Sequence, residues 1–156
     1  MHVIKILVMS DSHGAKDTMV DIVSEENPNL VIHLGDYTRD CDAIIKNFPD
    51  IPLKRIRGNG DFTSVVPVDD MFTLENRLFF ATHGHTYSVK SGLARLVHSA
   101  KSKQAEVVLF GHTHFPHCDI SENFALINPG CVHTSSGCYA VLHLSHGDLF
   151  CEMKIR

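Results

Sequence analysis

Five times along the chain an apolar, mostly β-branched run gives way to a small residue or turn and then to a polar group. The runs are residues 3–9 before Ser10-Asp11-Ser12-His13, 30–34 before Gly35-Asp36, and 53–56 before Gly58-Asn59-Gly60-Asp61. Two more are 78–81 before His83-Gly84-His85, and 107–110 before Gly111-His112-Thr113-His114. Short apolar runs bounded by turn residues predict buried strands, and polar groups just past their carboxyl ends are where open α/β sheets place their sites. Between the runs the spacing becomes helical. Residues 15–26 gather Met19, Val20, Ile22 and Val23 on one broad face with Lys16, Asp17, Asp21 and Glu25 elsewhere, and 39–47 and 91–103 form two more helices, the last with Leu93, Leu96 and Val97 inward. After Gly111 the pattern changes to short strands at 118–121, 124–128, 138–144 and 149–155, with Ser145-His146-Gly147-Asp148 as a hairpin turn. The expected fold class is α/β: two packed β-sheets flanked by helices.

The polar groups at the strand ends are of one chemical kind. Asp11, His13, Asp36, Asn59, His83, His112 and His114 offer carboxylate, amide and imidazole donors. That mixed set suits divalent ions of intermediate hardness, such as manganese, iron, nickel, cobalt or zinc, with manganese the first expectation; thiolates would select softer ions. No cysteine falls in the five segments. A carboxylate can bridge, holding two ions about 3.5 to 4 Å apart, and Asp36 is the candidate bridge. Any one of the seven could be a turn-forming residue; all seven at the ends of strands form a metal site.

The ordered elements Asp11-Ser12-His13, Gly35-Asp36, Gly58-Asn59-Gly60-Asp61, His83 and Gly111-His112-Thr113-His114 resemble the calcineurin-like metallophosphoesterases, and among them the small bacterial and archaeal phosphodiesterases. The resemblance runs from the first strand to about Gly130, where Ile127-Asn128-Pro129-Gly130 is similar to the family's late turn. It implies a four-layer sandwich of two mixed sheets between helices. It implies one metal on Asp11, His13, Asp36 and His114, and a second on Asp36, Asn59, His83 and His112. It further implies in-line attack on phosphorus by a hydroxide bridging the two ions, and a homodimer by analogy with relatives.

One departure is specific. Many larger members carry histidine where this chain has Gly60, and that imidazole is held to assist the leaving oxygen. General acid catalysis is typically worth 10² to 10⁴ in rate, so slower turnover or a preference for acidic leaving groups is expected, with His85 a stand-in donor. Asp61 is expected to support the Asn59 loop from behind the ligands. His117 and His133 lie near the site mouth and are candidates for substrate contact, whereas His2, His33, His98, His143 and His146 read as surface or hydrogen-bonded core. Asp40, Asp42, Asp69 and Asp70 read as solvated loop or capping groups.

Bulk properties narrow the class of function. The chain has 156 residues, 44% of them hydrophobic, which predicts a single domain over 1–156. Lys+Arg 14 against Asp+Glu 18 gives a net charge of −4, which argues against a dedicated nucleic-acid binder. The basic stretch Lys54-Arg55-Ile56-Arg57 reads as a strand with solvated charges. Five cysteines without C-x-x-C spacing suit a reducing cytoplasm, and neither signal peptide nor membrane span is expected. Val66-Pro67-Val68 reads as a turn. The reading is a dinuclear metal-dependent phosphodiesterase acting on a small diester. The alternatives are a protein-interaction scaffold that retains the metal-site fold, as in the eukaryotic retromer scaffold subunit, or a nuclease or cyclic-nucleotide phosphodiesterase.

Overall fold

The computed structural model describes residues 2–62, 65–133, 135 and 137–156. Among the described residues, ten strands form two mixed five-stranded sheets. In the first, β1 (Ile4–Met9), β2 (Leu30–His33) and β3 (Leu53–Arg55) run parallel, and β9 (Cys138–Ser145) and β10 (Asp148–Ile155) add antiparallel in the order β10-β9-β1-β2-β3. In the second, β5 (Arg77–Thr82), β6 (Val107–Leu109) and β8 (Ala125–Asn128) are parallel, edged by antiparallel β4 (Asp69–Leu74) and β7 (His117–Ile120), in the order β4-β5-β6-β8-β7.

Alternation along the strands explains the layers. Ile6 and Val8 of β1 point into the seam between the sheets, where they meet Ile32, Phe79, Leu109, Ile127 and Leu142. Leu7 and Met9, on the other face, pack with Met19, Ile22 and Ile44 of helices α1 (Lys16–Glu26) and α2 (Cys41–Asn47). On the far side Phe80 and Val108 meet Leu96 and Ala100 of α3 (Ala94–Ser102). The central strands are therefore buried on both faces, which is why they read as continuous apolar runs. The expected α/β sandwich of two sheets between helices is what the chain forms.

Several elements differ from the expectations. Strand β4 was not foreseen: Asp69 and Asp70, expected in a loop, open an edge strand that pairs with β5 across the two-residue turn Glu75-Asn76, both left-handed (φ 47° and 65°). Adjacent carboxylates mask the apolar alternation, and an edge strand tolerates them because one face is wet. Asp69 Oδ2 accepts from the Tyr87 hydroxyl (2.7 Å). The second helix is shorter than 39–47, because a 3₁₀ turn over Thr38–Asp40 precedes it, and α3 likewise follows a 3₁₀ turn over Val89–Ser91. The hairpin at Ser145-His146-Gly147-Asp148 forms as expected, with left-handed His146 and Gly147. All five cysteines are free thiols, and no helix among the described residues is long and apolar enough to cross a membrane.

Candidate metal centre

The seven donors come from loops at the carboxyl ends of five strands. β1, β2 and β3 deliver Asp11, His13, Asp36 and Asn59 from one sheet, and β5 and β6 deliver His83, His112 and His114 from the other. Five of these residues have left-handed backbone: Asp11 (φ 55°), His13 (43°), Asp36 (62°), His112 (71°) and His114 (66°). Each costs conformational energy in a residue with a side chain, and such strain gathers at functional sites. It turns each side chain out of the strand direction toward a common point.

The structure brings these side chains together. His114 Nε2 lies 3.3 Å from Asp11 Oδ1, and His83 Nε2 lies 3.8 Å from the same oxygen. Asp36 sits between the histidines, with Oδ2 3.8 Å from His13 Nε2 and Oδ1 3.5 Å from His83 Nε2. Asn59 Oδ1 and His112 Nδ1 approach His83 Nε2 to 3.1 and 3.2 Å. Asp11, His13 and His114 converge as one donor group, and Asp11, Asp36 and His83 as another. Asp11 thus joins both groups, where the sequence reading gave the shared role to Asp36 alone.

A cation fits this donor set on three counts. His83 Nδ1 donates to the Leu34 carbonyl (2.8 Å), which aims the other ring nitrogen, Nε2, into the centre, 3.1 Å from Asn59 Oδ1. Asp11 Oδ1 and His13 Nε2 are buried without a hydrogen-bond partner among the described residues, an orphaning that a ligand ion would relieve. Burial, then the neighbouring His83 and Lys90, push the His112 imidazole down to about 4, so it is neutral and free to coordinate near pH 7.

Behind the donors lies a framework of hydrogen bonds. Ser10 Oγ (2.6 Å) and the His112 amide (3.2 Å) donate to Asp11 Oδ2, fixing the carboxylate so that Oδ1 faces the centre. Asp61, the expected supporting residue, accepts from the amides of Asp36 and Gly58 through Oδ2 (2.9 Å each) and of Thr38 through Oδ1 (3.0 Å). It ties the loop after β3 to the loop after β2. Gly58 is required by that closeness: a Cβ there would fall 2.2 Å from Asp36 Oδ1. At Gly60 the amide donates to Asp36 Oδ1 (2.8 Å), and a Cβ would press to 3.1 Å from that oxygen.

One support was expected elsewhere, and a second, His33, resolves to the hydrogen-bonded core that was one of its two readings. Asp40, expected in solvent, is buried, and its Oδ2 accepts from Ser12 Oγ (2.7 Å) and the Gly14 amide (2.8 Å). His33 is also fully buried: the Gly35 amide donates to its Nδ1 (3.2 Å), so its Nε2–H donates to Ser12 Oγ (3.0 Å). Burial pushes this ring down to about 4 and keeps it neutral. A polar residue ending an apolar strand is the signal that could have found His33. Asn128, in the late turn, donates to the Gly111 carbonyl (3.2 Å) and Thr113 Oγ1 (3.0 Å), steadying the last ligand loop.

The remaining candidates divide. His85 turns toward the centre, its ring 5.4 Å from His83 and 6.2 Å from His112, because left-handed Gly84 (φ 107°) breaks the strand alternation. Burial, followed by His83, lowers its basicity. His133 stacks edge-on to His13 at 5.6 Å and so borders the site. His117 opens β7 with its ring 6.1 Å from Phe110, on the packing side of the second sheet. Lys54 and Arg55 lie on β3 and pair with Asp70 and Asp42.

Such a fold and strand-end donor set define a metallophosphoesterase, and the chain belongs to the calcineurin-like phosphoesterase superfamily, whose domain model matches residues 4–147. Among its relatives, a probable metallophosphoesterase of Mycoplasma pneumoniae is 35% identical over 130 residues, covering 81% of this chain and 77% of that protein. A phosphodiesterase of Methanocaldococcus jannaschii is 30% identical over 145 residues, covering 81% of this chain and 82% of that protein. The structure of a Vps29 from Entamoeba histolytica, complexed with zinc, superposes with a TM-score of 0.73 at 15% identity over 97% of this chain and 98% of its own.

Proposed function

We propose that this chain is a divalent-metal-dependent phosphodiesterase with a dinuclear centre on Asp11, His13, Asp36, Asn59, His83, His112 and His114. The observation that carries the reading is the convergence of Asp11, Asp36 and His83, and of Asp11, His13 and His114, on the orphaned Asp11 Oδ1. The phosphodiesterase relative in Methanocaldococcus jannaschii supports the choice of diester. When bound, two divalent ions would supply a deprotonated water and neutralise charge on the phosphoryl oxygens.

The residues do the rest. Asp36, with one oxygen toward His13 and the other toward His83, would serve both ions. Asp61 and Gly58 hold that carboxylate and the Asn59 loop in register. His85, its ring 5.4 Å from that of His83, would give a proton to the departing oxygen in place of a side chain at position 60, a role its lowered basicity confines to the acid side of neutrality. Manganese is the first metal to try, since the oxygen and nitrogen set does not select among the intermediate ions.

The test is hydrolysis of bis(p-nitrophenyl) phosphate against the monoester p-nitrophenyl phosphate, in chelator-treated protein with and without Mn²⁺. Metal-dependent cleavage of the diester, reduced at least about 10²-fold in Asp36→Asn and His112→Ala, is expected. Absence of turnover with every divalent ion tried would instead favour a metal-site scaffold, and activity confined to a DNA or RNA ladder or to cyclic nucleotides would move the substrate class.

A further inference from the structure

Phe62 is 97% exposed, the most exposed large apolar side chain among the described residues. It stands three residues past Asn59, at the rim of the metal centre. Phe62 lines a cleft of about 300 Å³ with Tyr37, Arg39, Gly60 and Asp61, at the small end of the range for ligand sites. The cleft opens directly from the metal centre: the Tyr37 ring is 5.0 Å from that of His13, and Gly60 and Asp61 directly follow Asn59.

Its walls offer planar groups. The Arg39 guanidinium lies 4.6 Å from the Tyr37 ring centroid and forms no ion pair with a carboxylate among the described residues. The Asp61 oxygens are committed to the amides of Asp36, Gly58 and Thr38, which leaves the Arg39 plane for a ligand. Aromatic rings and arginine planes around an open slot are what a nucleobase stacks on. We propose that this cleft is a subsite for the planar arm of the ester, a nucleobase or aryl ring, stacked among Phe62, Tyr37 and Arg39 while the phosphate occupies the metal centre. The inference rests on the reading that a phosphate ester binds at that centre.

Two ligands with the same phosphate and sugar isolate the ring. Adenosine 5′-monophosphate and ribose 5-phosphate are titrated calorimetrically into Mn²⁺-loaded protein. The ring is expected to tighten binding about tenfold, the size of one aromatic stack. Phe62→Ala removes that advantage while leaving ribose 5-phosphate unchanged, and Phe62→Tyr restores it. Because Phe62 buries almost nothing, the variant folds as the wild type does. Equal affinity for both ligands, or an advantage that survives Phe62→Ala, overturns the subsite. Hydrolysis of bis(p-nitrophenyl) phosphate by the same preparations separates the two readings. Cleavage without a ring preference removes only the subsite, and a ring preference without cleavage removes the enzyme and leaves a nucleotide-binding cleft.

Discussion

His33 shows how a residue that touches neither metal donor nor substrate shapes the site. Fully buried and held near a pKa of about 4 by desolvation, it stays neutral in the folded chain, whereas in the unfolded chain it takes up a proton near 6.5. Its contribution to stability is therefore complete above about pH 6.5 and is lost as the pH falls toward about 4. Between those limits one extra proton on the unfolded state costs about 1.4 kcal/mol per pH unit. Urea midpoints of the chelator-treated wild type are expected to fall more steeply over this window than those of His33→Gln; parallel lines would refute the assignment. At this scale the sequence was legible for which polar side chains converge and for the tie that Asp61 makes between two loops, since their places in ordered motifs announce them. It was not legible for Asp40, because whether an aspartate in a turn faces water or a buried serine depends on which loop crosses it, and Ser12 arrives from 28 residues away.

Among the elements, α1 is fastened at its carboxyl end by Glu26. Lys5 from β1 (2.9 Å), Lys154 from β10 (2.7 Å) and the Tyr139 hydroxyl from β9 (2.9 Å) converge on its carboxylate. Burial alone would raise this group, but the bonds from Lys154, Lys5 and Tyr139 outweigh it and bring it down to about 2. Glu26→Gln is expected to cost about 2 to 3 kcal/mol at neutral pH, as for hydrogen bonds between charged partners. The cost should shrink as the pH falls below about 4.5 toward 2, where the wild type loses the same charge; denaturant curves at neutral and acid pH check both parts. The helices and central strands were readable because their apolar spacing is imposed by burial on one or both faces. β4 was not, since an edge strand needs only its partner and a turn, and the left-handed Glu75-Asn76 pair lacks the glycine that usually marks one.

The whole molecule is two sheets meeting along an apolar seam, and the donors straddle it, four from one sheet and three from the other. A ligand that binds only the folded arrangement stabilises it by mass action, by about 2.7 kcal/mol at a hundred times its dissociation constant. At this chain length that is a rise of roughly 5 to 10 °C in Tm. Mn²⁺ is expected to produce such a rise in the chelator-treated wild type and none in Asp36→Asn, and identical melting of both with the ion would remove Asp36 from the centre. The four-layer order was legible from motif resemblance and strand count. The strand order within each sheet was not, because pairing between distant strands leaves no local mark.

That the donors belong to different sheets has a mechanical side. The bond from His83 Nδ1 to the Leu34 carbonyl already spans the boundary, and an ion would act as a rivet through it. Any shear of one sheet over the other, even one begun by loosening Val8 or Ile127 deep in the seam, would pull the donors out of alignment, so the grip on metal becomes a gauge of how tightly the two halves are closed.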